Sequence, residues 1–309
     1  MYFLKKILGS MLSLFAVSAL TFFLVRVAPG GPFDTDTLYP AEIKNLILEK
    51  YGLNQAVSTQ YWLWIKDSVR GEFRESFQYL GQSVSSILWP SLQKSSLLGG
   101  ISLFIAWVGG VILGACSAAK KGSLLDRMIF WMTAIGMSLP SYLTATLLIL
   151  VFSIHLQWFP AALWGGAPFL VLPTLTLSLR PLGVITRYTR RSMIEALSSN
   201  YIRTAYAQGV PHWRIIFIYA LRNSLIAPVA ALGTLGTHLV SGSFLVENVF
   251  QIPGLGRHFV MAALNRDYPL LMAATLIYGV ILIAFQGGSD FLLAMIDPRI
   301  QAADTESLS

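Results

Sequence analysis

The chain has 309 residues, of which 55% are hydrophobic and 12% charged, with a mean hydropathy of +0.62. Soluble domains carry about 25% charged residues, so this composition cannot coat a globular surface, and lipid must be the solvent for much of the chain. The net charge of +7 would point to nucleic acid in a soluble protein, but its distribution points to a bilayer, and the single cysteine, Cys116, excludes an intramolecular disulfide.

Six apolar stretches are long enough to cross about 30 Å of hydrocarbon. They fall at roughly 5–27, 95–119, 128–152, 168–186, 224–246 and 270–296. Lys5 and Lys6 ahead of the first stretch, with Val17-Ser18-Ala19 inside it, imitate a signal peptide. The run continues through Leu20, Phe22, Phe23, Leu24 and Val25, too long for a signal core, so 1–28 reads as an uncleaved first span.

Segment 29–94 follows, with six basic residues against seven acids, net −1. Within it Ile43, Leu46, Ile47 and Tyr51 fall on one face of an amphipathic helix that ends at Gly52. Tyr61-Trp62-Leu63-Trp64-Ile65 repeats that character, with aromatics suited to a membrane–water boundary. Segment 187–223 has the opposite charge, with Arg187, Arg190, Arg191, Arg203, Arg214 and Arg222 against Glu195 alone, net +5. Short basic loops stay in the cytoplasm, and Lys5, Lys6, Lys120, Lys121, Arg127 and Arg299 fall on the same side. Both termini are therefore expected inside and 29–94 outside. The expected organisation is a first span (1–28), an external helical segment (29–94), a five-span core (95–300) containing the cytoplasmic loop 187–223, and a tail (301–309).

Gly110 and Gly114 form a GxxxG pair, and Gly99, Gly100, Gly233 and Gly236 add further small residues through which helices approach closely in lipid. Cys116 reads as a small packing residue. Pro140, Pro173 and Pro228 interrupt the third, fourth and fifth stretches, which suits a transporter hinge and a packing detail equally well. No internal repeat is visible, which argues against a two-halved secondary transporter.

The chain has no Gly-x-x-x-x-Gly-Lys-Ser/Thr sequence, so no P-loop ATP site of its own is expected. His155, His212, His238 and His258 are scattered and do not suggest zinc. Gly287-Gly288-Ser289 lacks the last glycine of a nucleophile elbow. Asp290 and Glu247 are too few for a proton relay through the spans.

The most informative stretch begins at Arg187. Asn200 reads as an N-cap, Tyr201–Gln208 as a short helix, Gly209 as its left-handed C-terminal cap, and Pro211 as the start of the next helix. Ile202, Ala205 and Tyr206 make one apolar face. By spacing alone this helix either docks in a groove on a cytoplasmic partner or lies on the membrane surface.

Tyr201-Ile202-Arg203-Thr204-Ala205-Tyr206-Ala207-Gln208-Gly209-Val210-Pro211, followed by Ala220-Leu221-Arg222-Asn223-Ser224-Leu225-Ile226, resembles the "EAA" signature of ABC importer permeases. The likeness is to their oligopeptide/dipeptide branch and its B-type permeases. It extends along nearly the whole chain, through Arg26-Val27-Ala28-Pro29-Gly30-Gly31-Pro32, Tyr51-Gly52-Leu53-Asn54, Gln60-Tyr61-Trp62 and Gly71-Glu72-Phe73. Further on it covers Leu139-Pro140-Ser141-Tyr142, Leu172-Pro173-Thr174-Leu175, Pro253-Gly254-Leu255-Gly256, Asn265-Arg266-Asp267-Tyr268-Pro269 and Asp297-Pro298-Arg299-Ile300. By position the signature's leading Glu falls at Arg203, its alanines at Thr204 and Ala205, and its glycine at Gly209. Tyr206 and Gln208 stand where the branch often has basic residues, and Gln251 where it has a glycine.

The resemblance implies an all-α polytopic membrane protein of the type I importer permease fold. It would have about six transmembrane helices and a helical periplasmic insertion after the first. Arg203, Thr204, Ala205, Tyr206, Gly209, Val210 and Pro211 would form the helix that couples to an ATPase. The implied partners are a second homologous permease, two ABC ATPase subunits, an external peptide-binding protein, peptide cargo and the lipid bilayer, with no nucleic acid. ATP and Mg would sit on the ATPase subunits, and this chain would carry no cofactor and perform no catalysis. The implied location is the bacterial cytoplasmic (inner) membrane. Pro253, Gly254, Leu255 and Gly256 oppose a continuous helix, and non-helical backbone near a membrane is tolerated where it lines a cavity. An external gate that meets the binding protein is expected there. Nickel-chelate, glycoside or antimicrobial-peptide cargo, and a self-contained secondary transporter, are the competing readings.

Overall fold

The computed structural model describes residues 2–27, 49 and 51–296. Most of the amphipathic helix expected to end at Gly52, the 28–32 stretch, Asp297-Pro298-Arg299-Ile300 and the 301–309 tail lie outside the described residues. Every regular element among the described residues is helical. In order these are α1 (Tyr2–Val27), α2 (Val57–Val69), α3 (Val84–Ala119), α4 (Leu124–Ser138) and α5 (Ser141–Leu148), which continues as a π-helix (Ile149–His155). Then come α6 (Pro168–Leu197), α7 (Asn200–Ala207), α8 (His212–Arg214), a π-helical stretch (Ile215–Ala220) and α9 (Leu221–Ser224). The last are α10 (Ile226–Val240), α11 (Phe244–Val249), α12 (Leu255–Leu264) and α13 (Tyr268–Ile296).

Five helical stretches among the described residues are long and apolar enough to cross a membrane: Leu8–Val27, α3, α6, Ile226–Val249 and α13. The third expected span is not one helix. It is the pair α4–α5, bent by 107°. Leu139 is extended (φ −74°, ψ 129°) and Pro140 (φ −58°, ψ 140°) caps α5, because the ring of Pro140 bars its predecessor from helical backbone. Pro173 and Pro181 lie inside an unbroken α6, and Pro228 sits in the first turn of α10, where its missing N–H matters little.

The chain divides into two compact units, one holding the described residues up to Lys94 with Pro253–Val280, the other Ser95–Ile252 with the residues from Ile281. In the first unit α2 packs on α1. Phe22, Tyr61, Trp64 and Met272 form its core, and the buried Ser18 hydroxyl lies 3.0 Å from that of Tyr61. Arg26 reaches across from α1, with one Nη donating to Gln60 Oε1 at 2.7 Å and the guanidinium lying 3.4 Å from the centre of the Phe22 ring. The aromatics expected at a membrane boundary therefore divide. Tyr61 and Trp64 are interior, while Trp62 is 67% exposed.

In the second unit α3 and α6 meet through the GxxxG pair. A Cβ on Gly110 would lie 2.7 Å from Ile185 Cγ2, and one on Gly114 would lie 2.6 Å from Thr189 Cβ. Gly99 lies against the backbone of Leu239, and Gly233 and Gly236 against Gln286 and Phe285, whereas Gly100 meets nothing. Cys116 is exposed, so the expected packing role is not one it performs within this chain.

Candidate functional site

The arginine-rich stretch builds the site. At the end of α6 the hydroxyls of Ser198 and Ser199 turn back and donate to Glu195 O and Ala196 O. Ser199 (φ −74°, ψ 158°) takes the N-cap position of α7 without a side-chain cap bond, one residue before the expected Asn200. At the other end Gly209 has φ +73°. The Gly209 N–H donates to Tyr206 O at 3.0 Å and the Val210 N–H to Ala205 O at 3.1 Å, the two bonds of a Schellman closure. The left-handed cap lies at the residue expected for it. Pro211 (φ −57°, ψ 140°) then starts α8.

The expected apolar face of α7 is split. Ile202 and Ala205 are buried in a cluster with Ala115 and Ala118 of α3, Met193 of α6, and Ile215, Ile216 and Ala220. Tyr206 is instead 46% exposed, and its hydroxyl lies 2.8 Å from His212 Nδ1. Arg203, Thr204, Gly209 and Pro211 are exposed too, and Val210 is half-buried against the cluster. The small and branched residues thus anchor α7 to its own chain. The surface left for a partner is polar and aromatic, with Tyr201, Arg203, Thr204, Tyr206 and Gln208 exposed on it.

Beneath this platform lies a charge pair that the sequence reading did not single out. Asp126, in the first turn of α4, is buried. One carboxylate oxygen accepts from Arg190 Nε at 2.8 Å and from the Ser117 hydroxyl, and the other accepts from an Arg190 Nη and the Gly122 N–H, both at 2.8 Å. Four charge-assisted bonds join α3, the turn after it, α4 and α6 at one point. Ser123 caps α4 by accepting from the Asp126 N–H, and the Ser123-x-x-Asp126 pattern was the available signal. Arg190 was hidden among six arginines that all read as loop charge.

The second expected site divides into local pieces. Gln251 has φ +53°, and the Gln251 and Ile252 N–H groups close α11 on Asn248 O and Glu247 O, as at Gly209. Glu247 is buried and accepts from the Ser95 hydroxyl at 2.7 Å. Pro253 and Gly254 precede α12, Gly254 is its N-cap residue, and Leu255 and Gly256 are buried in its first turn. Pro253–Gly256 is thus a helix start. Beyond α12, Asp267 is fully buried and accepts from the Ser76 hydroxyl and from the N–H groups of Phe77, Gln78 and Leu270. It caps α13 and pins the segment before α3 in one step. His258 is partly buried on α12, with its ring edge-on to Tyr79. Burial first, then the nearby Arg257 and Lys94, hold its imidazole below the ordinary 6.5.

Several helices long and apolar enough to cross a bilayer make this a polytopic helical membrane protein. Residues 110–302 match the family described as binding-protein-dependent transport system inner membrane component, and residues 1–95 match its N-terminal companion. The chain is 37% identical over 300 residues to the dipeptide transport system permease protein DppB of Lactococcus lactis, covering 97% of this chain and 99% of that one. It is 38% identical over 302 residues to the oligopeptide transport system permease protein OppB of Haemophilus influenzae, again covering 97% and 99%. The solved methionine ABC transporter MetNI, in an inward-facing form, shares the fold at a TM-score of 0.58 and 16% identity, covering 69% of this chain and 97% of that one. The chain therefore belongs to the binding-protein-dependent transport system permease family, with the ABC importer permease fold.

Proposed function

We propose that this chain is the membrane-spanning permease subunit of an ATP-driven peptide importer. The observation that carries the reading is near full-length identity of 37–38% to permeases of dipeptide and oligopeptide transport systems. With a second permease it encloses a water-filled path open to alternate sides. A peptide keeps charged termini, and each charge at a span centre costs about 2.5–3.5 kcal/mol on insertion scales, so bare lipid is no route. The chain supplies shape and gating and no covalent chemistry. ATP and Mg bind on two partner ATPase subunits, which dock on the outward face of α7, and an external binding protein delivers the peptide at the α12–α13 hairpin. Both termini face the cytoplasm of a bacterium and the segment before α3 faces outward, which agrees with the net charges of −1 over 29–94 and +5 over 187–223.

Reconstitution tests this. Proteoliposomes holding both permeases and both ATPases, given ATP inside and peptide-loaded binding protein outside, accumulate peptide. Uptake by this chain alone would support a self-contained transporter instead, and uptake of a nickel chelate or glycoside in place of peptide would keep the machine and change the cargo.

A further inference from the structure

The Asp126–Arg190 pair lies under the docking helix, on none of the surfaces assigned above. α7 has eight residues and no core of its own; its buried Ile202 and Ala205 rest on Met193, Ala115 and Ala118. Met193 is one helical turn beyond Arg190 on α6, and Ala115 and Ala118 flank Ser117 on α3. Arg190 and Ser117 both bond Asp126, which opens α4. α4 then runs against α6, with Met137 filling the space beside Gly183, and ends at the break before Pro140. The contact that seats α7 and the contact that holds α4 thus share two helices, within one turn of each other.

We propose that the Asp126–Arg190 fork is the strut that carries a displacement of the docking helix into α4 and so to its break at Pro140. Arg190 is then a positioning residue for coupling, and the proposal rests on the importer reading above. The geometry favours a strut over a general electrostatic contact. A guanidinium that meets both oxygens of a carboxylate fixes direction as well as distance, whereas an ammonium fixes only distance. The Gly122 N–H and Ser117 hydroxyl complete the carboxylate's partners, so it cannot turn to follow a moving arginine without losing bonds.

The test uses the full importer in proteoliposomes, with Arg190→Lys, Asp126→Asn and the double variant. Complex recovery, thermal midpoint, ATP hydrolysis and peptide uptake are read in each. Arg190→Lys keeps the charge and guards against mere misfolding. It is expected to recover and hydrolyse ATP as the unmodified complex does, while peptide moved per ATP falls roughly tenfold. The double variant should be no worse than the poorer single, since both remove one contact. Unchanged uptake per ATP in all three overturns the proposal. So does a loss of uptake matched by an equal loss of assembled complex, which would make the pair structural only. Failure of the unmodified complex to import peptide overturns the functional reading and the strut with it.

Discussion

Gly209 and Gln251 close their helices with the same pair of hydrogen bonds and the same left-handed backbone, at φ +73° and +53°, although only one of them is glycine. The left-handed region costs a residue with a Cβ roughly 1–2 kcal/mol. Gly209→Val should therefore unwind the end of α7, leaving membrane insertion intact and reducing ATPase recovery or uptake per ATP. At Gln251 the strain is already present, so Gln251→Gly should match or raise the thermal midpoint, the gain being offset by about 0.4–1 kcal/mol of unfolded-chain entropy. Gln251→Val, β-branched at the same backbone, should lower it. If Gly209→Val transports normally, α7 is a surface feature and its coupling role falls.

The packing of α3 on α6 predicts a position-specific defect. A side chain at Gly114 meets Thr189 Cβ and the Thr186 carbonyl oxygen, whereas one at Gly100 on the same helix meets nothing within 4 Å. Overpacking a close helix contact costs about 1–3 kcal/mol. Gly114→Val should lower membrane level and the melting temperature of purified protein, and Gly100→Val should change neither.

Orientation can be read by cysteine labelling in a Cys116→Ala background. Trp62 and Ala207 are both exposed, so cysteines there are reachable once their compartment is. An impermeant reagent added to intact spheroplasts should label position 62 and leave position 207 until the membrane is opened. The opposite pattern would invert the proposed topology.

His258 predicts an acid sensitivity. Its folded value lies below the ordinary 6.5 because burial disfavours the charged ring, so the unfolded chain takes up the proton first. Its contribution is complete above the unfolded value and is lost as pH falls from there through the lowered folded value. The melting temperature of the purified protein should drop between pH 7.5 and 5, and His258→Gln should flatten that slope. An equal slope in the variant would assign the loss to other groups.

Composition and short-range pattern were enough for the lipid solvent, the apolar stretches, the short helix closed by Gly209 and most of the glycines at close helix contacts, Gly100 excepted. These follow from local composition and from backbone preferences that act within a few residues. The sequence also carried the family, because many weak motifs in fixed order are legible without coordinates. Which way each face points and which distant residues meet depend instead on packing between elements far apart in the chain. The Ile202–Ala205–Tyr206 stripe looked continuous, yet burial takes Ile202 and Ala205 inward and leaves Tyr206 outward with His212, a division set by the α3–α6 platform. A proline in an apolar run reads alike in all cases, yet Pro140 breaks its helix while Pro173 sits in one that stays intact. Asp126 and Arg190 lie 64 positions apart in the chain, and no local pattern pairs them. Their bond exists because α4 packs along α6 and sets the buried Asp126 carboxylate against a guanidinium that still reaches solvent, where leaving the carboxylate unpaired would be costly.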